Sequence, residues 1–209
     1  MIEHIHWLGH ASFRIDGPTC IYIDPFRIPA DCPPADVILL THEHYDHCSP
    51  ADIDRILAPH TRIIGGEGVA EFLKDEYPVM VLRHWQSVNV GRANIKAVPA
   101  YTYTNHHPAA RGDLGFVIAM NFQDIYYAGD TDFVAELKRV RCDIAILPVS
   151  GKDGIMTMDS AKDLVKTMRP KYVIPSHFGS VEGGTLLDAK ALETTLSDLA
   201  KVVWLQATV

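Results

Sequence analysis

The feature that most limits what this chain can become is a four-residue apolar run, Val37-Ile38-Leu39-Leu40, that ends in Thr41-His42-Glu43-His44-Tyr45-Asp46-His47. A short, continuously apolar run of this kind reads as a strand buried on both faces. It delivers His42, His44, Asp46 and His47 to a strand's carboxyl end at the rim of a core. Imidazole and carboxylate are ligands that zinc, iron and manganese share, and with no cysteine among them the spacing does not suggest a closed structural zinc site. His42 and His44 on one side, with Asp46 and His47 a step further on, suit two adjacent cations. The bland alternative is a polar loop rich in histidine, and matching partners downstream weigh against it.

Strand signals surround that run. Ile2 to Leu8, Ala11 to Ile15 and Cys20 to Ile23, punctuated by Gly9, Gly17-Pro18 and Asp24-Pro25, predict an antiparallel meander. Ser49 as N-cap with Pro50 at the first helical position predicts a helix to about Leu57. Strands are expected over Arg62 to Ile64, Val79 to Leu82, Ser87 to Val90, Ala93 to Val98, Leu114 to Met120, Ile125 to Tyr127, Ile144 to Leu147, Tyr172 to Ile174 and Val202 to Leu205. Helical spacing marks Glu67 to Lys74, Thr131 to Val140, Asp159 to Met168 and Leu187 to Leu199. Strands come first, then helix and strand alternate, with no linker and no convincing internal repeat. The order favours an α/β four-layer αββα sandwich of two mixed sheets over a doubly wound parallel sheet.

At 209 residues, one domain spanning 1–209 is expected. A net charge of −7 argues against a general nucleic-acid or anionic-membrane binder, which needs a basic surface. The amino-terminal residues lack a signal-peptide core, and no apolar run approaches the ~20 residues of a membrane span. Cys20, Cys32, Cys48 and Cys142 form no Cys-x-x-Cys pair and read as reduced thiols of a cytoplasmic protein. Gly65-Gly66-Glu67-Gly68 lacks the Lys-Ser/Thr of a phosphate loop, and Val149-Ser150-Gly151 lacks the flanking glycines of a serine nucleophile elbow.

Three later segments offer further ligands at strand ends: Asn105-His106-His107-Pro108, Ala128-Gly129-Asp130-Thr131-Asp132 and Ile174-Pro175-Ser176-His177-Phe178-Gly179. With the His-x-His-x-Asp-His motif they make the chain resemble the metallo-β-lactamase superfamily along essentially its whole length. Trp7-Leu8-Gly9-His10-Ala11-Ser12-Phe13 and Ile23-Asp24-Pro25-Phe26 resemble its lactonase-like branch of metal-dependent hydrolases, which includes ascorbate-6-phosphate lactonase-like proteins. The resemblance implies the αββα sandwich. It also implies one metal on His42, His44 and His107, and a second on Asp46, His47 and His177, with Asp130 bridging. His106 competes with His107, because the following Arg111-Gly112-Asp113 segment lies slightly further on than the family spacing. Two cations about 3.5 to 4 Å apart share a water and lower its pKa toward ~7, and Asp46 is then placed to orient the hydroxide.

The expectation is thus a dinuclear hydrolase of a small ester, lactone or phosphorylated metabolite, with zinc first and manganese or iron as alternatives. A phosphodiesterase or nuclease and a non-catalytic metal-binding protein are the rivals. His10 is read evenly as a site-edge residue or a turn-stabilising histidine, and Asp24 as a turn residue before Pro25. Arg111 and Lys152 are candidate anion contacts or solvated surface charges. Oligomeric state and substrate stay open.

Overall fold

Alternation of side chains along each strand builds the architecture of the computed structural model, which describes residues 2–180 and 183–207. The first half runs β1 (Ile5–Gly9), β2 (Ser12–Ile15), β3 (Ile21–Ile23), β4 (Val37–Leu39), α1 (Pro50–Ile56), β5 (Arg62–Gly65), α2 (Glu67–Leu73) and β6 (Val79–Val81). The second runs β7 (Ser87–Val90), β8 (Ala93–Pro99), β9 (Leu114–Met120), β10 (Gln123–Tyr127), β11 (Ile144–Pro148), α3 (Met158–Met168), β12 (Tyr172–Ser176), α4 (Leu186–Leu196) and β13 (Lys201–Val202). Two sheets result, ordered β1-β2-β3-β4-β5-β6 and β13-β12-β11-β10-β9-β8-β7. Each is antiparallel in its earlier strands and parallel in its later ones.

Because successive side chains point to opposite faces, the fully buried β4 feeds two cores. Val37 and Leu39 join Phe13, Ile21, Phe116, Ile118, Ile144 and Ile146 between the sheets. Ile38 and the adjoining Leu40 pack outward against Ile53, Ile56, Val69 and Leu73 of α1 and α2. On the second sheet Tyr126, Ala145 and Leu147 pack outward against Leu164, Val165, Leu192 and Leu196 of α3 and α4. The layers are therefore helix, sheet, sheet, helix, the αββα sandwich expected from the order of elements. No helix among the described residues is long and apolar enough to cross a membrane, and all four cysteines are unpaired.

Four local expectations are corrected. Thr131 to Val140 is not a helix beyond a 3-10 turn at Ala135–Arg139. The Thr131 hydroxyl bonds the Tyr101 carbonyl and Asp132 Oδ1 accepts from Phe133 N, so polar side chains hold this segment outside helical geometry. Ile2–His4 is a 3-10 turn ahead of β1, and the last strand stops at Val202. Ser49 makes no side-chain cap bond, which leaves Pro50 as the local signal that starts α1.

Phe116 is fully buried between the sheets whereas Phe122 lies fully exposed in the β9–β10 turn. Phe116→Ala is expected to cost roughly 3–5 kcal/mol in denaturant unfolding, and Phe122→Ala within about 0.5 kcal/mol. Equal losses would contradict the two-sheet core.

Candidate metal centre

The chain gathers its reactive side chains where strands end. Asp24 follows β3, the histidine motif follows β4, Asp130 follows β10 and His177 follows β12, while His107 sits in the loop between β8 and β9. That loop is closed by Thr102 N donating to His107 O at 2.8 Å. Gly129 has φ +66°, and a Cβ there would lie 3.0 Å from the Leu114 carbonyl and from Thr41 Cγ2. Glycine is what lets the turn before Asp130 close over the start of the histidine motif.

The motif is held from behind by one carboxylate. Asp24, fully buried, accepts from Thr41 N, Thr41 Oγ1 and His47 Nδ1, each at 2.8 Å. Tyr127 Oη lies 3.0 Å from the same carboxylate and 2.7 Å from the Ala11 carbonyl. Burial and the neighbouring Asp24 charge push the Tyr127 phenol well up, which keeps it a donor.

These bonds fix proton positions. Thr41 has one hydroxyl proton and spends it on Asp24, so the contact of 2.9 Å to His42 Nδ1 is one in which the imidazole donates. His107 Nδ1 donates to Asp113 Oδ2 at 3.1 Å. In both residues the outer nitrogen carries the proton, and Nε2 turns a lone pair inward. His47 Nδ1 is bound to Asp24 in the same way. The buried atoms His47 Nε2, His107 Nε2 and both ring nitrogens of His177 have no hydrogen-bond partner. Buried polar atoms left so are rare and costly. A cation at the inward Nε2 atoms would account for those of His47 and His107, whose other ring nitrogen is bound to a carboxylate as is characteristic of metal-bound histidines.

Three sets of side chains bring potential ligand atoms within 4.8 Å of one another: His42, His44 and His107; His42, His47 and Asp130; and His10, Asp46, His47 and His177. Asp130 Oδ2 stands 3.2 Å from His177 Nε2, 3.5 Å from His47 Nε2 and 3.6 Å from His107 Nε2. His177 and Asp130 are thus at ion-pair distance but out of hydrogen-bond alignment. Electrostatics match the layout. Burial opposes ionisation of Asp130, yet His177 and His47 hold its carboxyl well below the usual range. His47 is likewise lifted, against burial, by Asp130 and Asp24. The field therefore attracts positive charge between the two acids. Burial lowers His42 well below its ordinary value, and burial with the His107 and Arg111 charges takes His44 to about 4. Asp46 is pulled to about 2 by the His10 bond and the His47 charge against the cost of burial.

All seven residues expected from the sequence as metal ligands lie in this cluster. His106 is exposed beside it, its ring 5.1 Å from that of His44, while His107 is fully buried. His10 Nε2 meets Asp46 Oδ2 at 2.9 Å and its Nδ1 meets Ser180 Oγ at 2.7 Å. Because the carboxylate only accepts, Nε2 is the donor, and His10 fixes the orientation of Asp46. Asp24 anchors the motif, where the sequence reading made it a turn residue. Thr41, Asp113 and Tyr127 are supporting residues the sequence reading missed. For Asp113 the one available signal was its place beside Arg111 after the His106-His107 pair. Arg111 is taken up elsewhere: Nη2 donates to Glu43 Oε1 at 2.9 Å, Nε pairs with Asp113 at 3.1 Å, and Nη1 lies 3.3 Å from His44 Nε2.

Comparison with known proteins places this cluster in context. The model of the Beta-lactamase superfamily domain matches residues 4–177. A UPF0173 metal-dependent hydrolase of Thermoplasma acidophilum is 31% identical over 193 residues, covering 85% of this chain and 84% of its own length. A UPF0173 metal-dependent hydrolase of Pyrococcus abyssi is 28% identical, with 97% and 96% covered. The crystal structure of a protein described as a metal-dependent hydrolase from Parabacteroides distasonis superposes with a TM-score of 0.83 at 28% identity, covering 97% of this chain and 93% of that one.

Two outcomes follow from the geometry. His107→Ala is expected to weaken zinc binding by tenfold or more by calorimetry, with His106→Ala close to wild type; the reverse order would move the ligand one residue upstream. Asp24→Asn should cost about 3 kcal/mol of stability, because it leaves donors and His47 without their buried counter-charge, and about tenfold in zinc affinity. Wild-type unfolding midpoints and affinity would remove Asp24 from the role described.

Proposed function

The chain belongs to the metallo-β-lactamase superfamily, and from that premise we propose that it is a metal-dependent hydrolase with a dinuclear site acting on a small ester, lactone or phosphorylated metabolite. The observation that carries the reading is the set of unpartnered, buried imidazole nitrogens of His47, His107 and His177 around Asp130, with His47 and His107 each anchored through the opposite nitrogen. His42, anchored through Nδ1, turns Nε2 to His44 Nδ1 at 3.0 Å. In this reading His42, His44 and His107 hold one cation, Asp46, His47 and His177 hold the other, and Asp130 lies between them. Zinc suits the donor set best among common divalent ions, and manganese or iron(II) uses the same ligands. When bound, the pair supplies Lewis acidity and a water acidified toward pKa ~7.

The protein's own part is positioning. Asp46 lines a cavity of about 240 Å³ together with His44, Asp130 and His177. With a carboxyl held at about 2, Asp46 stays ionised at any working pH and acts as an acceptor, not as an acid. His10 occupies one face of that carboxylate and leaves the remaining lone pairs for a cation and for the proton of an attacking water. The buried histidines around it exclude bulk solvent from the reacting centre.

Fully loaded protein is expected to contain close to two equivalents of metal by elemental analysis, and to hydrolyse members of a panel of lactones, aryl esters and phosphodiesters. Asp46→Asn should reduce turnover by at least about 100-fold with an unchanged circular dichroism spectrum. A ceiling of one equivalent in wild type removes the dinuclear site, and full turnover in the mutant removes Asp46 from the chemistry.

A further inference from the structure

The cavity over the metal cluster has a second wall, made by Tyr45, His106, Ser150, Lys152 and Ile155. Lys152 is the one lysine or arginine among the described residues that line it. Its ammonium makes no hydrogen bond or ion pair among the described residues, and its charge is felt by Asp188, whose carboxylate is already taken up in the capping box of α4 with Thr185. Arg111, the other cation of this region, is committed to Glu43 and Asp113. Beside Lys152, the Ser150 hydroxyl oxygen is buried with no hydrogen-bond partner.

The loop that presents these groups is set in place. Gly151 has φ +62°, and Asp153, a residue with a Cβ, has φ +52°. Such a conformation costs on the order of 1 kcal/mol or more and persists where its surroundings enforce it. Here Thr104 Oγ1 donates to the Asp153 carbonyl at 2.7 Å, and Gly184 packs so close to Ser150 that a Cβ there would lie 3.0 Å from its Cα. Asp153 also lines the cavity, so its wall carries an acid next to Lys152 as well as the acids of the ligand cluster.

We propose that Lys152 and Ser150 form a subsite for an anionic group, carboxylate or phosphate, carried by the hydrolysed molecule away from its scissile bond. The proposal rests on the hydrolase reading above and names its substrate class. The ammonium neutralises the anion, the Ser150 hydroxyl donates to one of its oxygens, and the metal cluster is left to the bond that breaks. Binding energy from this remote group orients the substrate.

The test uses metal-loaded protein with three acetate esters: uncharged phenyl acetate, 4-carboxyphenyl acetate and 4-acetoxyphenyl phosphate. Wild type is expected to favour at least one charged ester in kcat/KM, and whichever is favoured identifies carboxylate or phosphate. Lys152→Met should lower that preference ratio by about tenfold, as loss of one charge-assisted hydrogen bond does, and Lys152→Arg should restore most of it. A wild type without preference for charge, or a ratio unmoved in Lys152→Met, overturns the subsite while leaving the hydrolase intact. Should none of the esters be turned over, they become plain ligands. Calorimetry of their binding to wild type and Lys152→Met then reads the same preference and decides the subsite apart from the chemistry.

Discussion

The buried carboxylate of Asp24 is the interaction on which the rest of the site depends. A lone ionised carboxylate inside a protein is too costly to persist, and it becomes tolerable only when its lone pairs are filled. Here the donors come from Thr41 and His47 in the first sheet's strand-end loop and from Tyr127 in the second sheet. Satisfying Asp24 therefore fixes the spacing of the two sheets at the very edge where the ligands emerge. The Thr41 hydroxyl transmits the constraint one residue on, to the tautomer of His42.

Precision at that edge carries a cost in backbone strain. His10, Asp24 and His177 all adopt left-handed φ values, +50°, +45° and +58°, which side chains with a Cβ rarely take. His177 N donates to the His10 carbonyl, so two of the strained turns brace each other. Residues held this way cluster where function needs a fixed side-chain direction. The large double-faced core supplies the stability that such turns consume.

The fold and the membership of the His/Asp cluster were largely legible in the sequence because much of their signal is local. Val37 to Leu40 announces a buried strand, and the next seven residues carry four of the cluster's side chains, His42, His44, Asp46 and His47. The supporting residues were not legible, because their roles come from pairings across long stretches of chain. Tyr127 meets Asp24 at a separation of 103 residues, and Asp24 beside Pro25 looks like an ordinary turn. Thr131 to Val140 misled for the opposite reason: its apolar spacing is helical, but two polar side chains engage the backbone first. The antiparallel meander that opens the first sheet is read from its turns, whereas the same antiparallel-then-parallel order in the second sheet emerges only from the pairing.

The scatter of ligands along the chain also orders events in time. Domains are made amino-terminus first, at roughly 5–20 residues per second, so His42, His44 and His47 leave the ribosome seconds before Asp130 and His177 exist. Any cation that engaged this early histidine tract in the unfolded chain would draw on the same free energy that stabilises the folded form. Only the second sheet brings the acid that completes the cluster, together with the Tyr127 hydroxyl that locks Asp24. Any cation held by the early tract alone would therefore sit on half a site until the second sheet folds onto it.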